Sequence, residues 1–557
     1  VYQRRAMGLV RVVTAPARPA GDAERGPDPG APIVESLPKA SVLDALSRAV
    51  CFVARNRKGE LRQVQPPDPV VAIVHAQGTY DGVRDLRGIV ESPTLRPDGS
   101  IITAAGYDPA TGLYLHWNGP PIEVPEAPTR DDARAAYQRL SKLFAEFKFQ
   151  GDEARQRHSR AGIVAAILTP LARAGVAGPV PVFNFEADGQ NAGKSIAATT
   201  CGALVVGRVP ALRQYTPDDD ETAKRLASIA LAGHAVAIFD NIRSHIEGGA
   251  LEGVLTARDT IAGRVLGHTA DRELPWRTTL YFTANGATYN ADNARRVIHI
   301  AMKGKPVDLD APEYDVPDIV SHVIARRREL LTDALTILRA HRLAGSPRPG
   351  GVLPSFEAWS RVVSAAVCWC GDGGDPVHAR PPESANRDTA HGRAVALAWA
   401  AAFGTTPRTI AQVRKACAPP DAGRVGADGP AKAEAREALG AALAELAGAP
   451  DLSRASPGSL GKRFAATVVD RVYSGNGLQV CIAPAGEFHG VARYAARVEH
   501  LGNPAHPTTH DPSDDSPDGG GWGDTGFQGH SRTGSRDVSD VPGASAVLET
   551  TTESFDA

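Results

Sequence analysis

The spacing of apolar positions changes several times along the chain, and the changes predict a series of distinct regions. Between residues 36 and 125, short β-type runs such as PVVAIV (69–74) and SIITAAGYDPATGLYLHW (100–117) predict strands and hairpins. From 126 to 178 the apolar residues recur at helical spacing. From 179 to 305, strand and helix patterns alternate, which is typical of an α/β fold with a parallel sheet.

The remaining regions differ in character from this centre. Residues 306–418 contain long helical patterns, and residues 433–498 follow the order helix, turn, helix and two β-type runs. Residues 1–35 are rich in Pro, Gly, Ala and Arg, and residues 502–557 are rich in Asp, Ser, Gly, Thr and Pro. Such compositions bury little apolar surface, so we expect a disordered leader and a disordered tail.

Composition restricts the partners that this chain can have. Lys and Arg (61) nearly balance Asp and Glu (63), so contact with a nucleic acid would depend on local basic patches. The six cysteines include no Cys-x-x-Cys pair, which favours reduced thiols in the cytoplasm over a zinc site. No apolar run reaches the about 18 residues of a membrane span and no signal peptide is evident, so no membrane partner is expected.

The stretch ADGQNAGKS (187–195) lies between a strand pattern and a helix pattern, the context of a phosphate-binding loop. In such a loop, backbone N–H groups and the helix N-terminus face phosphate oxygens. Lys194 would reach the β- and γ-phosphates and Ser195 would ligate Mg²⁺, so ATP and Mg²⁺ are the predicted cofactors. The residues predicted to bind them are Gly189, Gln190, Asn191, Ala192, Gly193, Lys194, Ser195 and Ile196.

One position of this loop departs from the pattern G-x-x-x-x-G-K-[ST]. Asp188 stands where the first glycine is expected, and Gly189 comes one place late. A carboxylate facing the triphosphate would repel it, so we predict that Asp188 points away and Gly189 provides the close backbone approach. The alternatives are an ordinary glycine turn and a decayed site in which Lys194 pairs with Asp188.

Two later strand patterns end in polar residues that a nucleotide hydrolase needs. HAVAIFDN (234–241) brings Asp240 to a strand end, where it is predicted to hold Mg²⁺ together with Ser195. RTTLYFTANG (277–286) ends in Asn285, an amide suited to orienting the attacking water. For the Asp240 strand, a buried strand ending in a polar turn is the alternative. Asn241 occupies the position where a second acid commonly polarises the water.

A pair of arginines follows in ADNARRVIHI (291–300). Arg295 and Arg296 could reach the γ-phosphate bound by a neighbouring subunit and stabilise transition-state charge, which is the role of an arginine finger. A salt-bridged pair at the start of a strand is the alternative. The residues predicted to act in catalysis are Lys194, Asp240, Asn285 and Arg296.

These motifs together resemble those of the superfamily 3-like AAA+ ATPases of phages, plasmids and integrative elements, usually described as DNA primase-helicases. The resemblance rests on ADGQNAGKS, VAIFDN, LYFTANG and ARRVIHI, and it extends to residues 251–267, 93–102, 106–114 and 356–376. It implies a P-loop AAA+ type sheet core with a β-rich N-terminal region, a helical linker and a C-terminal winged-helix-like domain. It also implies an oligomeric ring, expected to be a hexamer, that moves on DNA with ATP bound between subunits.

Two sets of residues are predicted to contact DNA, the first implied by the resemblance and the second by the order of helices and β-type runs in residues 433–498. Members of this family carry a hairpin before the Asn-ending strand that projects into the central channel, and His268 and Arg272 are predicted at or near its tip. A surface turn with no DNA role is the alternative. In the winged-helix-like segment, basic residues are predicted on the recognition helix, although such domains also dock proteins. These residues are Lys462, Arg463 and Arg471.

Three functions are compatible with these patterns. The leading one is an ATP-dependent DNA helicase or replication ATPase of a mobile genetic element, with single-stranded DNA in a central channel. The second is an ATP-binding replication initiator or regulator with slow or no hydrolysis, which Asn241 favours. The third, a chaperone-like ATPase, fits the C-terminal segment poorly. Residues 36–125 offer no convincing set of metal-binding carboxylates for primer synthesis, so any primase domain is expected upstream of Val1.

Overall fold

A computed structural model of the 557-residue chain describes most residues up to His500. The described ranges are 1–4, 7–15, 30–187, 192–243, 245–264, 271–304, 316–382, 385, 387–418, 430–475 and 478–500. Contacts group Val1–Leu501 into one unit, and the second unit, Gly502–Ala557, lies outside these ranges. Within them, no helix is long and apolar enough to cross a membrane.

The N-terminal elements include strands where the sequence predicted a disordered leader. Three antiparallel strands pair in the order β1-β2-β3, and a separate hairpin pairs β4 with β5. The elements are β1 (Tyr2–Arg4), β2 (Gly8–Thr14), β3 (Pro32–Ser36), α1 (Lys39–Ala49), β4 (Phe52–Arg55), β5 (Leu61–Val64) and α2 (Asp68–Ala76). The prediction of disorder is therefore wrong for the residues in β1, β2 and β3, because their apolar side chains pack against later parts of the chain.

The run PVVAIV (69–74), predicted as a strand, lies in the helix α2. A short apolar run cannot by itself distinguish a strand from a buried helix. Here the start of the run decides: Asp68 and Pro69 lie in the first helical turn, where a missing N–H costs nothing and an acidic side chain is favoured. The region between 36 and 125 therefore contains both helices and strands.

Short strands complete the region before the first long helices. They are β6 (Gly88–Val90), β7 (Thr94–Leu95), β8 (Ile101–Ile102), β9 (Gly106–Asp108) and β10 (Leu113–Leu115). The antiparallel pairs β7–β8 and β9–β10 confirm the hairpins predicted around residues 97–114, and β6 adds to β10 in parallel. Arg96 donates to the Asp108 carboxylate at 2.8 Å and thereby ties the two hairpins together.

Two helices follow, as the helical spacing predicted, and the second of them packs on the central sheet. Thr129 and Asp132 form a reciprocal capping box at the start of α3 (Arg130–Lys142), and Asp152 caps α4 (Glu153–Ala172). Most of the second half of α4 is buried, because it packs against the sheet that follows. The hydroxyl of Tyr281 donates to the backbone oxygen of Ala166 at 2.7 Å and fixes α4 on that sheet.

The alternation predicted between 179 and 305 is confirmed as a five-stranded parallel sheet. Its elements and their connections are β11 (Val182–Ala187), α5 (Lys194–Val206), β12 (Leu212–Gln214), α6 (Asp219–Ala232), β13 (Val236–Ile242), β14 (His245–Ile246), α7 (Gly249–Thr256), β15 (Thr260–Arg264), β16 (Asp271–Pro275), β17 (Thr279–Ala284), β18 (Thr288–Tyr289), α8 (Ala291–Ala294) and β19 (Val297–Met302). The strand order is β12-β13-β17-β11-β19. Because helices cover both faces, the strands are nearly continuous apolar runs.

Helices after the sheet pack back onto α3, α4 and α5. They are α9 (Ile319–Ala325), α10 (Arg327–Leu343), α11 (Glu357–Trp359), a π-helical turn (Ser360–Ser364), α12 (Ala365–Cys370) and a 3₁₀ turn (Pro376–His378). The Trp359 indole N–H donates to the Thr169 hydroxyl at 2.9 Å within the main core. This region confirms the helices predicted from residue 318.

The C-terminal elements have an apolar core of their own, centred on Trp399 and Phe464. They are α13 (Arg387–Phe403), α14 (Ile410–Cys417), α15 (Pro430–Ala447), α16 (Pro457–Thr467), β20 (Val472–Gly475), β21 (Leu478–Phe488) and β22 (Val491–His500). The three strands form an antiparallel sheet in the order β20-β21-β22. Helices followed by this sheet have the element order that the sequence predicted for 433–498; the winged-helix fold stays a prediction.

Candidate functional site

The predicted phosphate loop and the two polar strand ends meet at one edge of the parallel sheet. In the sheet, β13, β17 and β11 are neighbours, so their carboxyl ends lie side by side. Lys194 begins the helix after β11, Asp240 lies on β13, and Asn285 directly follows β17. Ligand sites in open parallel sheets lie at the carboxyl ends of the strands, next to the point where the strand order reverses. This edge is therefore the candidate functional site.

Lys194 and Asn285 are in direct contact. The Lys194 ammonium donates to the Asn285 side-chain oxygen, with Nζ and Oδ1 2.6 Å apart. The two residues are separated by about ninety positions of sequence, and the parallel pairing of β11 with β17 brings them together. The Asn285 amide thus holds the ammonium of Lys194, the first residue of α5, at the carboxyl edge of the sheet.

Asp240 is held by two hydroxyl groups. The Ser195 hydroxyl and the Thr283 hydroxyl both donate to Oδ1 of Asp240, each at 2.6 Å. The Thr283 oxygen in turn accepts from the backbone N–H of Asn241 at 2.8 Å. Sequence analysis did not single out Thr283, because a threonine inside an apolar strand reads as a β-branched core residue. Its role is to fix the direction of the Asp240 carboxylate.

The oxygens of Ser195 and Asp240 fit a magnesium ion. Magnesium takes six oxygen ligands at about 2.0–2.1 Å, so adjacent ligand oxygens in the octahedron lie about 2.9 Å apart. The hydroxyl of Ser195 and Oδ1 of Asp240 are hydrogen-bonded at 2.6 Å, so the two oxygens are near enough to serve as adjacent ligands of one ion. Magnesium in phosphate sites takes few ligands from protein and the rest from phosphate and water. Within the described ranges no three His, Cys, Asp or Glu side chains gather as a metal site.

Gly193 occupies a backbone conformation that disfavours its replacement by another residue. Its φ of +74° is a left-handed conformation, and a Cβ added to it would lie 2.8 Å from the Phe147 ring. Ala192 is buried beside it, whereas Ile196 is exposed on the first turn of the helix. The predicted nucleotide contacts of Gly189, Gln190 and Asn191, and the predicted direction of Asp188, lie outside the described residues.

Asn241 lies beside Asp240 but takes no part in this hydrogen-bonded set through its side chain. Its φ of +56° accompanies a shift in the register between β13 and β17, and its side chain is exposed. The Asn241 side-chain oxygen accepts from Arg243 at 3.2 Å. An asparagine tolerates this left-handed conformation better than most residues. The side chain of Asn241 is an amide and offers no base, as the sequence indicated.

The arginine pair is divided between interior and surface. Arg296 is buried, and its guanidinium donates to Asp292 at 2.9 Å while its Nε and one terminal nitrogen have no partner. Arg295 is exposed and pairs with the same carboxylate at 2.6 Å. Sequence analysis chose Arg296 for the finger; the side chain that reaches the surface is Arg295. Both arginines therefore also match the salt-bridged alternative.

A buried polar cluster behind the site was not predicted. Glu186, at the end of β11, accepts from the Asn184 amide at 2.8 Å and from the backbone N–H groups of Gly286 and Ala287. His299 lies 3.7 Å from the Glu186 carboxylate. These contacts tie the residues after Asn285 to the strand that precedes the phosphate loop. A glutamate at the end of a strand, three residues before Gly189, carries no sequence signal that could have revealed this role.

Burial shifts the pKa of both acidic and basic members of this cluster. It raises the pKa of Glu186 from 4.5 to about 7, against the opposing effects of Asn184, the two backbone N–H groups and Lys194. It lowers the pKa of His299 from 6.5 to about 4, with a smaller contribution from Arg155. Between pH 4 and pH 7 the Glu186–His299 pair is therefore uncharged.

These pKa values predict how the Glu186→Gln variant changes stability with pH. A raised folded-state pKa gives Glu186 a contribution that is complete below pH 4.5 and is lost as the pH rises through 7. His299 has the opposite sign: its contribution is complete above pH 6.5 and is lost toward pH 4, equally in wild type and variant. The Glu186→Gln variant does not lose stability through this residue as the pH rises. Its free energy of unfolding relative to wild type should therefore be about 2 kcal/mol higher at pH 8 than at pH 5.

Thermal unfolding at pH 5 and pH 8 measures this difference. Exposed Glu434→Gln is the matched control, because the same chemical change there removes no buried acid. We expect the melting temperature of Glu186→Gln, relative to that of wild type, to be higher at pH 8 than at pH 5. For Glu434→Gln this difference from wild type should be the same at both pH values. Parallel pH curves for wild type and both variants would show that Glu186 is not a buried neutral acid.

The hairpin predicted before the Asn-ending strand is present. The antiparallel strands β15 and β16 pair Gly263 with Arg272, and Leu274 packs the hairpin against α6. Arg272 is half-buried on β16 rather than at the turn between the strands. His268 lies outside the described residues. The strands of the predicted hairpin are thus confirmed, while the role of its tip stays a prediction.

The C-terminal basic residues do not share one helix face. Lys462 and Arg463 lie on α16 and are exposed, and Arg463 also donates to the backbone oxygen of Leu446 at 3.2 Å. Arg471 lies beyond the end of the helix at Thr467. The prediction that Arg471 belongs to this helix is wrong, because Val469 pairs with Ile482 of the sheet and Asp470 adopts a positive φ.

No protein-family model matches this sequence. A search of curated proteins found no significant match. The function has to be inferred from the residues at the sheet edge and from the family resemblance of the motifs.

Proposed function

We propose that this chain is an ATPase that acts on DNA as an oligomeric ring: a helicase or replication ATPase of a mobile genetic element. One observation carries the proposal. Lys194 contacts Asn285 and Ser195 contacts Asp240, each across 2.6 Å, at the carboxyl edge of a parallel sheet. Four residues of the types that ATP hydrolysis needs thus lie together, although they belong to three separate strands or to the residues that follow them. A glycine turn without a function would not need this arrangement.

The chemistry of phosphoryl transfer assigns a task to each of these residues. Bound Mg²⁺ and ATP would supply the reacting phosphate and the cation that neutralises its charge. Lys194 places a positive charge against the phosphates, and Ser195 and Asp240 provide oxygen ligands for the cation. Asn285 holds Lys194 and presents an amide toward the space where the attacking water would lie. The Thr283 hydroxyl, by donating to Asp240, holds the carboxylate in one orientation.

Support for DNA as the partner comes from the resemblance and from the hairpin. The β15–β16 hairpin precedes the strand that carries Asn285, which is the order the resemblance implies. Exposed Lys462 and Arg463 on α16 offer a second basic surface for phosphate contacts. A ring requires a residue that reaches the neighbouring nucleotide, and exposed Arg295 is the side chain of the arginine pair in position to do so.

One observation favours a second function, an ATP-binding initiator or regulator with slow hydrolysis. Exposed Asn241 cannot accept a proton from water, so activation of the nucleophile would depend on solvent or on Asp240 alone. Such a protein would use ATP to assemble on DNA and would turn it over slowly or not at all.

Measurement of ATP turnover by the wild-type chain as single-stranded DNA is added separates the two functions. A helicase or replication ATPase should be stimulated by DNA to the range of about 1 s⁻¹ or more that is typical of enzymes. Turnover that stays near zero at saturating DNA, together with ATP-dependent oligomers, would assign the initiator function instead. No binding of ATP in either form would reject both.

Removal of the basic side chains of the hairpin tests its contact with DNA. In the His268→Ala, Arg272→Ala double variant we expect DNA stimulation of ATP turnover to fall by about tenfold, because phosphate contacts dominate affinity for DNA. ATP turnover without DNA should be unchanged. Arg454→Ala, on an exposed turn far from the sheet, serves as the charge control. Equal stimulation in wild type and double variant would contradict a DNA role for the hairpin.

A further inference from the structure

An arginine-lined cleft lies at the opposite edge of the parallel sheet from the phosphate loop. It is bounded by the residues just before β13 and β17 and by the N-terminal strands. Strands of six or seven residues separate the two edges by about 20 Å. The cleft therefore belongs to no part of the candidate nucleotide site. The charged side chains that line it and its inner recess are Arg4, Arg87, Arg173, Arg277, Asp85 and Asp259.

Cations outnumber anions in this cleft by two. Among the ion pairs of the described residues, one involves these arginines: Arg277 lies 3.7 Å from the carboxylate of Asp259, whose charge also acts on Arg173. The Asp259 side chain is 77% exposed, so water screens much of that attraction. Arg87 is exposed at the rim and makes no ion pair with a described residue. The uncompensated charge suits a ligand that carries two negative charges.

The two arginines at the inner end, Arg4 and Arg173, are buried and make no direct ion pair with a described residue. Arg4 donates to the backbone oxygens of Ala230 and Leu231 at the end of α6, and Arg173 donates to those of Val176 and Arg258. The Nε–H group of each has no hydrogen-bond partner. Burying a charged group without a partner is costly unless an anion joins it.

The pKa values of Arg173 and Arg277 reflect both their burial and the like charges near them. Burial lowers the pKa of Arg173 to about 10, and the nearby charge of Arg277 lowers it further. Burial also lowers the pKa of Arg277, and Arg87 adds to that effect. Like charges at the inner end thus destabilise one another, and a bound anion would relieve this repulsion.

The dimensions of the cleft indicate the class of anion. The cleft encloses about 580 Å³, within the range of small-ligand sites, and leads into a recess of about 30 Å³. The recess admits an oxygen-sized group beside Arg173, and the outer cleft admits a group as large as a nucleoside. Guanidinium groups bind phosphate oxygens in a bidentate manner, which matches their convergence here.

We propose that this cleft binds a terminal phosphate monoester, with the phosphate beside Arg277 at the entrance of the recess, one of its oxygens in the recess toward Arg173, and the attached group in the outer cleft toward Arg87. Two sources carry this chemistry: a free nucleotide with a terminal phosphate, and the phosphorylated end of a DNA strand. The cleft is independent of the Lys194 loop, so its occupation does not require ATP hydrolysis by the chain.

Calorimetric titration of the full chain with three probes tests this site. The probes are inorganic phosphate, AMP, and a single-stranded oligonucleotide prepared with either a 5′-phosphate or a 5′-hydroxyl. All titrations use a Lys194→Ala background, so that the phosphate loop does not contribute. We expect Arg87→Gln combined with Arg277→Gln to weaken binding of phosphate and AMP about tenfold or more, since each lost hydrogen bond to a charged group costs a factor of that size.

Two controls keep the result interpretable. Arg48→Gln combined with Arg454→Gln removes two exposed arginines elsewhere and should leave binding unchanged. Arg87→Gln alone changes an exposed side chain, and an unchanged melting temperature would show that it folds as wild type. Its affinity should also fall, though by less than in the double variant.

The probes also identify the source of the phosphate. An arginine-dependent advantage of 5′-phosphate over 5′-hydroxyl oligonucleotide would assign the strand end, and arginine-dependent binding of AMP without that advantage would assign a free nucleotide. Both results support the site. Binding of all probes with equal affinity to the double variant and to the control variant, or no binding of any probe, would overturn it. Neither outcome depends on whether the chain hydrolyses ATP.

Discussion

Lys194→Ala should bind a non-hydrolysable ATP analogue about 10- to 100-fold more weakly than wild type, because hydrogen bonds to charged groups contribute about 1.5–3 kcal/mol. The Lys194 ammonium lies at the start of α5 and is held by the Asn285 oxygen at 2.6 Å. Under the proposed function, the substitution removes the positive charge that would lie against the phosphates at this edge. Calorimetric titration with the analogue and Mg²⁺ measures the change.

A second lysine provides the matched control for this variant. Lys462 also follows a glycine, but it is exposed on α16 and is not followed by a serine or threonine. Lys462→Ala should bind the analogue as wild type does. The melting temperature of Lys194→Ala should stay close to that of wild type, because Lys194 is only half-buried. Equal affinity of all three proteins for the analogue would place the nucleotide elsewhere.

Asp240→Asn should lower ATP turnover by on the order of 100-fold while nucleotide binding is largely retained. The substitution keeps an oxygen in place of Oδ1, so the hydroxyls of Ser195 and Thr283 can still donate to it. What is lost is the negative charge that helps to hold Mg²⁺. The loss should therefore be smaller at high Mg²⁺ concentration, and a titration of turnover against Mg²⁺ measures it.

The outcome for Asp240 separates a catalytic role from a structural one. Asp220→Asn removes an exposed carboxylate from the first turn of α6 and should not change the Mg²⁺ dependence. Thr283→Val removes the hydroxyl that directs Asp240 and should lower turnover by a smaller factor, with no change in the number of charges. If Asp240→Asn turns over ATP as wild type does at low Mg²⁺, this carboxylate does not serve the cation.

The sequence patterns were sufficient to predict the parallel sheet and to predict that the polar residues at its strand ends lie close together. A strand pattern before ADGQNAGKS and a helix pattern after it locate the loop, and two apolar runs ending in Asp240 and Asn285 supply strands long enough to pair. Parallel strands joined by helices bring their carboxyl ends to one edge, so residues distant in sequence become neighbours by topology. The contacts of Lys194 with Asn285 and of Ser195 with Asp240 follow from this rule.

The pattern of apolar and polar residues in the sequence did not predict the environments of individual side chains. Thr283 is an ordinary strand residue until its partner across the sheet is known, and Glu186 acquires its raised pKa from burial that depends on β19 and the turn after Asn285. Arg295 and Arg296 are adjacent in the turn between α8 and β19, yet one is exposed and the other is buried. Tertiary packing decides such outcomes, and local patterns do not record it.

Local patterns also failed where two periods fit the same run. PVVAIV is apolar throughout, so it matches a buried strand and a buried helix equally, and Pro69 in the first turn decides for the helix. At the other end of the chain, Val468 and Val469 continue the helical spacing of α16, but Val469 pairs with the sheet instead and carries Arg471 away from the helix.

The most direct test of an ATP-hydrolysing site at this sheet edge is ATP turnover by wild type and by Lys194→Ala, each measured with and without single-stranded DNA. The predicted result is turnover in wild type that rises when DNA is added, and turnover in Lys194→Ala that stays at background in both conditions. Equal turnover by the two proteins, with or without DNA, would contradict the assignment of Lys194, Ser195, Asp240 and Asn285 as the site of hydrolysis.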